Sequence, residues 1–250
     1  MNHEPYYREG TGRDAVLLIH GIAGSPGHFR DLIPIIPREY SIYNILLDGH
    51  NGTPRDFGRS SMARWKTQVD NTLQALFSCH EQVVIVAHSM GALFAIQAAI
   101  SHPDRIPALF LLNVPTRPRV HPRAMLAAVQ VAFGHPRTAT AHAMHNDTGI
   151  SLTLNPLEYI RWAPRMVELL AECRKVRSVL SLLTVPAQVF LSRSDELVSL
   201  RSRKDLVNPC MQTTLLAKSG HYAYGNEDTL LLQDRLRKTL ENLTIRKKSL

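Results

Sequence analysis

The chain has 250 residues, 44% of them hydrophobic and 20% charged, enough for one substantial core and typical of an ordinary globular protein. No apolar run approaches the ~18 residues of a membrane span, and the polar first ten residues lack the apolar stretch of a secretory signal. A net charge of +8 raises nucleic acid as a partner, yet no familiar binding module accompanies it, so none is expected.

Short apolar runs alternate with helical stretches, which predicts an α/β fold with a mostly parallel sheet and crossover helices. Ala15–Ile19 reads as a buried strand ending at His20-Gly21, and 42–47 as a second ending at Asp48-Gly49. Between them Ser25-Pro26 opens a helical stretch in which Phe29, Leu32 and Ile33 can share a face. Met62, Trp65, Val69, Leu73 and Leu76 recur at helical spacing and predict an amphipathic helix over 61–78. A strand of β-branched residues from Val83 follows, then a helix over 92–100 that ends before Pro103. Further strands are predicted at 108–112, 187–191 and 213–216, and a closing helix at 227–243.

The alternation stops between 114 and 184, where 122–133 and 156–183 look helical, the latter interrupted by Pro164. This predicts a core of 1–114 and 184–250 carrying a small helical cap, 115–183, over the carboxyl ends of the strands. Met125, Leu126, Leu157, Trp162 and Met166 are candidates to line a pocket there, and packing of the insertion explains each equally well. The stretch also holds nine basic residues against four acidic ones. A solvated basic surface is the simplest reading, against attraction of anionic substrates or lipid surfaces. Cys79, Cys173 and Cys210 are scattered, odd in number and without metal-like spacing, so no metal site and a cytoplasmic, reducing setting are expected.

The chemistry concentrates at Ala87-His88-Ser89-Met90-Gly91-Ala92. A serine between a strand and a helix, with small residues at −2, +2 and +3, suits a strained turn that lifts its hydroxyl to the positive end of the helix. The bland alternative is a serine N-cap. Acyl transfer by serine also needs a base and an acid that orients it. Asp195 follows the 187–191 strand and His221 follows the 213–216 strand, in the order nucleophile, acid, base. Asp195 could instead cap a helix, and Glu196 is the other available acid. The oxyanion requires two N–H donors, for which the backbone amides of Met90 and of Ile22, in the loop after the first strand, are the candidates. His20, at the start of that loop, is read as holding it by hydrogen bonds.

The H-G-x-x-G loop at His20, the S-M-G elbow, the S-D-x-x-V segment at Asp195 and the S-G-H segment at His221 together resemble the α/β-hydrolase superfamily, in its carboxylesterase and monoacylglycerol lipase branch. The resemblance covers nearly the whole chain and implies an α/β-hydrolase fold with a small helical cap. It implies Ser89 as nucleophile, His221 as base, Asp195 as its orienter and Ile22 and Met90 as oxyanion donors, with no metal or organic cofactor. Ala87 stands where the elbow usually has glycine, and Asn51 replaces a glycine in a G-H-G-x-S-like turn. The implied activity is hydrolysis of a small-molecule ester, of short to medium chain or a monoacylglycerol. Amide, thioester or carbon–carbon bond hydrolysis, and a non-catalytic receptor for small ligands, are the alternatives. The sequence carries no signal of oligomeric state.

Overall fold

The computed structural model describes residues 3–248. Seven strands form one sheet: β1 (Tyr6–Arg8), β2 (Ala15–Ile19), β3 (Ser41–Ile45), β4 (Val83–His88), β5 (Leu109–Leu112), β6 (Ala187–Ser192) and β7 (Met211–Leu216). Among the described residues seven α-helices accompany them: α1 (Pro54–Arg59), α2 (Met62–Cys79), α3 (Met90–Ser101), α4 (Pro122–Ala132), α5 (Ala139–Asp147), α6 (Trp162–Val179) and α7 (Asn226–Lys248). The strand order is β1-β3-β2-β4-β5-β6-β7. All neighbours pair in parallel except β1, which runs antiparallel to β3.

The central strands are apolar throughout because both faces are covered, the normal condition of a parallel sheet. Along β2, Ala15, Leu17 and Ile19 enter one core, shared with α2, α3 and α6. Val16 and Leu18 enter the other, shared with α7 and with Phe29, Leu32 and Tyr40. The helical spacing of Met62, Trp65, Val69, Leu73 and Leu76 translates into burial of all five. Among the described residues no helix is long and apolar enough to cross a membrane.

Several features depart from the sequence expectations, among them the short helix α1, which no apolar spacing announces. The edge strand β1 was not anticipated. It is three half-exposed residues, tied on by Arg8, whose guanidinium donates to the carbonyls of Ile36, Pro37 and Tyr40. The stretch after Ser25 forms two 3-10 turns, Pro26–Phe29 and Ile33–Ile35, instead of a longer helix. Pro164 does not interrupt α6, because it falls in the first turn, where its missing N–H leaves no bond unmade. Helix α5 was also unexpected, a polar segment capped by the Thr138 hydroxyl.

Between 115 and 183, α4 and α5 pack through Ala127, Ala141 and Met144 into a small cluster of their own that reaches Tyr222. Cys173 and Val176 of α6 instead join the main core, where α6 packs against α3. The carboxyl ends of β4, β5, β6 and β7 lie side by side and carry Ser89, Asn113, Asp195 and His221 on the loops that follow.

Candidate active site

Ser89 sits between the last residue of β4 and the first of α3 with φ 51° and ψ −120°. A non-glycine residue is held in such a conformation only when its surroundings over-determine it. Here Ser89 N donates to Leu112 O on the neighbouring strand at 2.8 Å, while the next turn of α3 packs against β2. A Cβ on Gly91 would stand 2.3 Å from Ile19 O, so glycine is what lets helix and strand meet. Ser89 occupies the N-cap position of α3 but its side chain makes no capping bond. The hydroxyl is therefore not engaged in holding the helix end, contrary to the N-cap alternative. Ala87, fully buried in β4, fits the turn in place of glycine.

Asp195 and His221 are both buried, and His221 Nδ1 lies 3.0 and 2.9 Å from the two carboxylate oxygens of Asp195. Asp195 Oδ1 also accepts the backbone N–H groups of Leu197 and Val198, at 2.7 and 2.6 Å. The same carboxylate thus does what a capping Asp does and also fixes the imidazole, which leaves Nε2 as the free ring nitrogen. Glu196 is turned to a different duty. Its Oε2 accepts the backbone N–H of His221 at 2.9 Å and its Oε1 the hydroxyl of Thr140 on α5 at 3.0 Å. The adjacent Gly220 leaves room for this, since a Cβ there would stand 3.0 Å from each carboxylate oxygen.

Ser89 is joined to His221 through its neighbour. His88 Nε2 donates to His221 O at 3.1 Å, and the two rings lie 4.7 Å apart. Asn113, at φ 50° after β5, accepts the Ser192 N–H at 2.8 Å through Oδ1 and directs its amide toward Gly220 O and His221 O, each at 3.4 Å. Among the described residues no hydrogen bond links the Ser89 hydroxyl to His221; such contacts commonly tighten only when substrate binds.

On the other side of Ser89, the loop after β2 is fixed by His20. Its Nε2 accepts Leu47 N–H at 3.0 Å and its Nδ1 donates to Gly21 O at 2.9 Å, so both ring nitrogens are committed to the loop. Burial pushes the His20 pKa well below the ordinary histidine value and keeps the ring neutral, as two such bonds require. Ala23 takes φ 56°, and Gly149 N–H closes the loop by donating to its carbonyl at 3.2 Å. Neither Ile22 N–H nor Met90 N–H donates to a backbone acceptor among the described residues. Two unengaged amides on either side of a serine can stabilise an oxyanion.

A second buried layer lies behind the site. His28 stacks on His88 with ring centres 3.8 Å apart, and its Nδ1 and Nε2 reach Asp147 Oδ2 at 3.0 Å and Tyr224 OH at 3.2 Å. Burial lowers the His28 pKa to about 3, so this contact is a hydrogen bond from a neutral ring, and Arg30 is the cation that balances Asp147. Sequence reasoning missed His28, His88 and Asn113. The position of Asn113 at a strand's carboxyl end was the one available signal, and nothing in the pattern paired His28 with a residue 119 positions away.

Next to the site a cavity of about 390 Å³ opens under α4 and α5, bounded by Ala23, Tyr222, Val129, Met144, Leu152 and Trp162 among others. Its walls are overwhelmingly apolar. Of the five pocket candidates only Trp162 lines it. Met125, Leu126 and Leu157 are 63%, 54% and 71% exposed, and Met166 packs against the main core. The reason is the phase of α4: Ala124 and Ala127 turn inward and Val129 and Ala132 face the cavity, which leaves Met125 and Leu126 on the outer side.

Comparison with known proteins adds the following. A model of the alpha/beta hydrolase family matches residues 16–231. A pyrethroid hydrolase from Sphingobium wenxiniae is 28% identical over 131 residues, which are 52% of this chain and 44% of that protein. The match therefore spans less than half the length of that relative. Among solved structures, a metagenome-derived lipolytic enzyme superposes with a TM-score of 0.73 at 22% identity, covering 94% of this chain and 96% of the other. A soluble variant of monoglyceride lipase from Saccharomyces cerevisiae gives a TM-score of 0.70 at 12% identity, covering 95% and 91%. At these identities the two structures speak for the fold alone.

Proposed function

The chain belongs to the alpha/beta hydrolase family, and from that premise we propose that it is a serine ester hydrolase acting through an acyl-enzyme. The observation that carries this reading is the buried Asp195–His221 pair set one residue's reach from a strained, uncommitted Ser89. His221 Nε2 takes the proton from Ser89 Oγ as the oxygen attacks the ester carbonyl. Ile22 and Met90 amides receive the oxyanion. On collapse His221 gives the proton to the departing alkoxide, leaving the acyl group on Ser89. Water, deprotonated by the same ring, then releases the carboxylic acid and restores the serine. Asp195 holds the imidazole in the required tautomer and stabilises its charged form.

The substrate is a small molecule with an apolar acyl portion, of short to medium chain or a monoacylglycerol. The apolar cavity beside Ala23 and Tyr222 supports this. Residues 115–183 serve as the cap over this cavity, with α4 and α5 covering it.

Labelling with a fluorophosphonate at neutral pH tests the reading without a guess at the substrate. Wild type should be labelled, and Ser89→Ala, folded by thermal melting, should not. Equal labelling of both proteins would remove Ser89 from the mechanism, and a folded wild type that resists the probe would speak for a ligand-binding protein instead.

A further inference from the structure

On a face that shares no lining residue with the apolar cavity, a groove of about 600 Å³ is rimmed by Arg117, Arg119, Arg174, Arg177 and Arg201. We propose that this groove binds a polyphosphate-type anion carrying at least two phosphate groups.

Three separate pieces of chain bring the guanidiniums together. Arg117 and Arg119 lie two residues apart on an extended segment that bridges to Val198 through Pro118. Two backbone bonds flank that bridge, Arg119 N–H to Leu197 O at 2.8 Å and Ser199 N–H to Arg117 O at 3.0 Å. Residues two apart on such a segment face the same side. Arg174 and Arg177, one turn apart on α6, face them, and Arg201 comes from the turn after β6.

The charge is unbalanced. Asp205 is taken by Arg117 in a two-pronged contact at 2.8 Å on each side and also accepts the Thr116 hydroxyl. Arg119 donates at 2.6 Å to the backbone carbonyl of Asp195, which carries no charge. Side chains of Arg174, Arg177 and Arg201 have no hydrogen bond or ion pair among the described residues. Like charges a turn apart on a helix repel, and Asp205, already paired with Arg117, is the carboxylate that also acts on Arg177. Planar guanidiniums are the side chains best matched to phosphate oxygens. The floor, Cys173 and Thr116, is buried and nearly closed, so a ligand rests on the rim cations and does not insert an apolar tail. A single phosphate would neutralise only part of this rim and fill little of the volume. Because Arg119 also holds the carbonyl of Asp195, one wall of the groove is continuous with the acid loop.

The anion could be free or the headgroup of a phosphorylated lipid, and calorimetric titration with inorganic tripolyphosphate, beside sedimentation with phosphatidylcholine vesicles containing phosphatidylinositol bisphosphate, separates the two. Arg174→Glu/Arg177→Glu should weaken binding by about tenfold or more. Arg38→Glu/Arg237→Glu changes net charge equally at exposed sites elsewhere and should leave binding within about twofold. Should the glutamate pair fail to fold, Arg174→Gln/Arg177→Gln gives the same comparison in milder form. Groove-dependent binding of tripolyphosphate supports a free anion, and groove-dependent binding of vesicles alone supports a lipid headgroup. Equal weakening by both double variants, or no binding of either probe, overturns the proposal. Neither readout requires turnover, so the result stands apart from the fate of Ser89.

Discussion

Two adjacent carboxylates, Asp195 and Glu196, both touch His221, and the atoms they touch separate their roles. Asp195 meets the ring nitrogen and Glu196 the backbone N–H. A carboxylate on the ring selects its tautomer and stabilises the imidazolium. One on the backbone only places the loop, here by tying it to Thr140 on α5. Asp195→Asn should therefore lower kcat by a factor on the order of 10⁴, as loss of the orienting charge does in serine hydrolases of this type. Glu196→Gln keeps an oxygen for the His221 N–H and an amide for Thr140, and should stay within about threefold of wild type. Glu196→Ala leaves a buried N–H unmet, about 1–3 kcal/mol, and should cost about ten- to a hundredfold in kcat. Steady-state hydrolysis of a p-nitrophenyl ester measures all three. If Glu196→Gln falls as far as Asp195→Asn, the acid has been assigned to the wrong residue.

At the scale of elements the site depends on how closely α3 approaches β2. Gly91 is in contact with the backbone of Ile19 and His20, and backbone cannot step aside as a flexible side chain can. Gly91→Ala should therefore cost about 3 kcal/mol and lower Tm by about 10 °C, read by thermal melting, with fluorophosphonate labelling falling in step as the elbow is pushed from the oxyanion loop. An unchanged Tm would mean that the approach is looser than described. Elements of this kind were the legible ones. The elbow, the strand-end positions of Asp195 and His221 and the five buried residues of α2 follow from local pattern, because each is dictated by its own segment. What escaped was decided across the chain. Strand β1 exists because Arg8 finds three carbonyls about 30 residues away. Helix α5 is polar and owes its place to Thr140, Asp147 and the His28 that receives it. The inward face of α4 was misjudged because large apolar residues were favoured over the alanines that permit close packing.

The whole molecule concentrates neutral histidines behind Ser89, and this sets how it must respond to acid. His20, His28, His50 and His88 are buried, and burial is the largest cause of their lowered pKa, to about 3 for His28, about 4 for His50 and well below 6.5 for the other two. Asp48 faces His50 from the preceding turn and opposes that shift without cancelling it, whereas His88 is flanked by His28 and His221, which add to it. In the unfolded chain each ring protonates near 6.5, so between pH 6.5 and about 4 the unfolded state binds more protons than the folded one. Stability therefore rises with pH across that window, is complete above 6.5 and is lost as the pH falls. Four such groups give a slope of up to about 5 kcal/mol per pH unit, enough to exhaust the stability of an ordinary domain within about one to three units. Urea unfolding followed at pH 7.5, 6.5, 6.0 and 5.5 should show a flat region and then a steep fall, before most carboxylates begin to titrate. His50→Gln removes one of the four protons and should make the fall shallower by about a quarter, while leaving the value at pH 7.5 to report the packing it loses. A free energy of unfolding that stays level down to pH 5.5 would show that these rings are not held neutral, and with them would go the description of His20 as a fixed support of the loop after β2 and of His88 as a fixed support of His221.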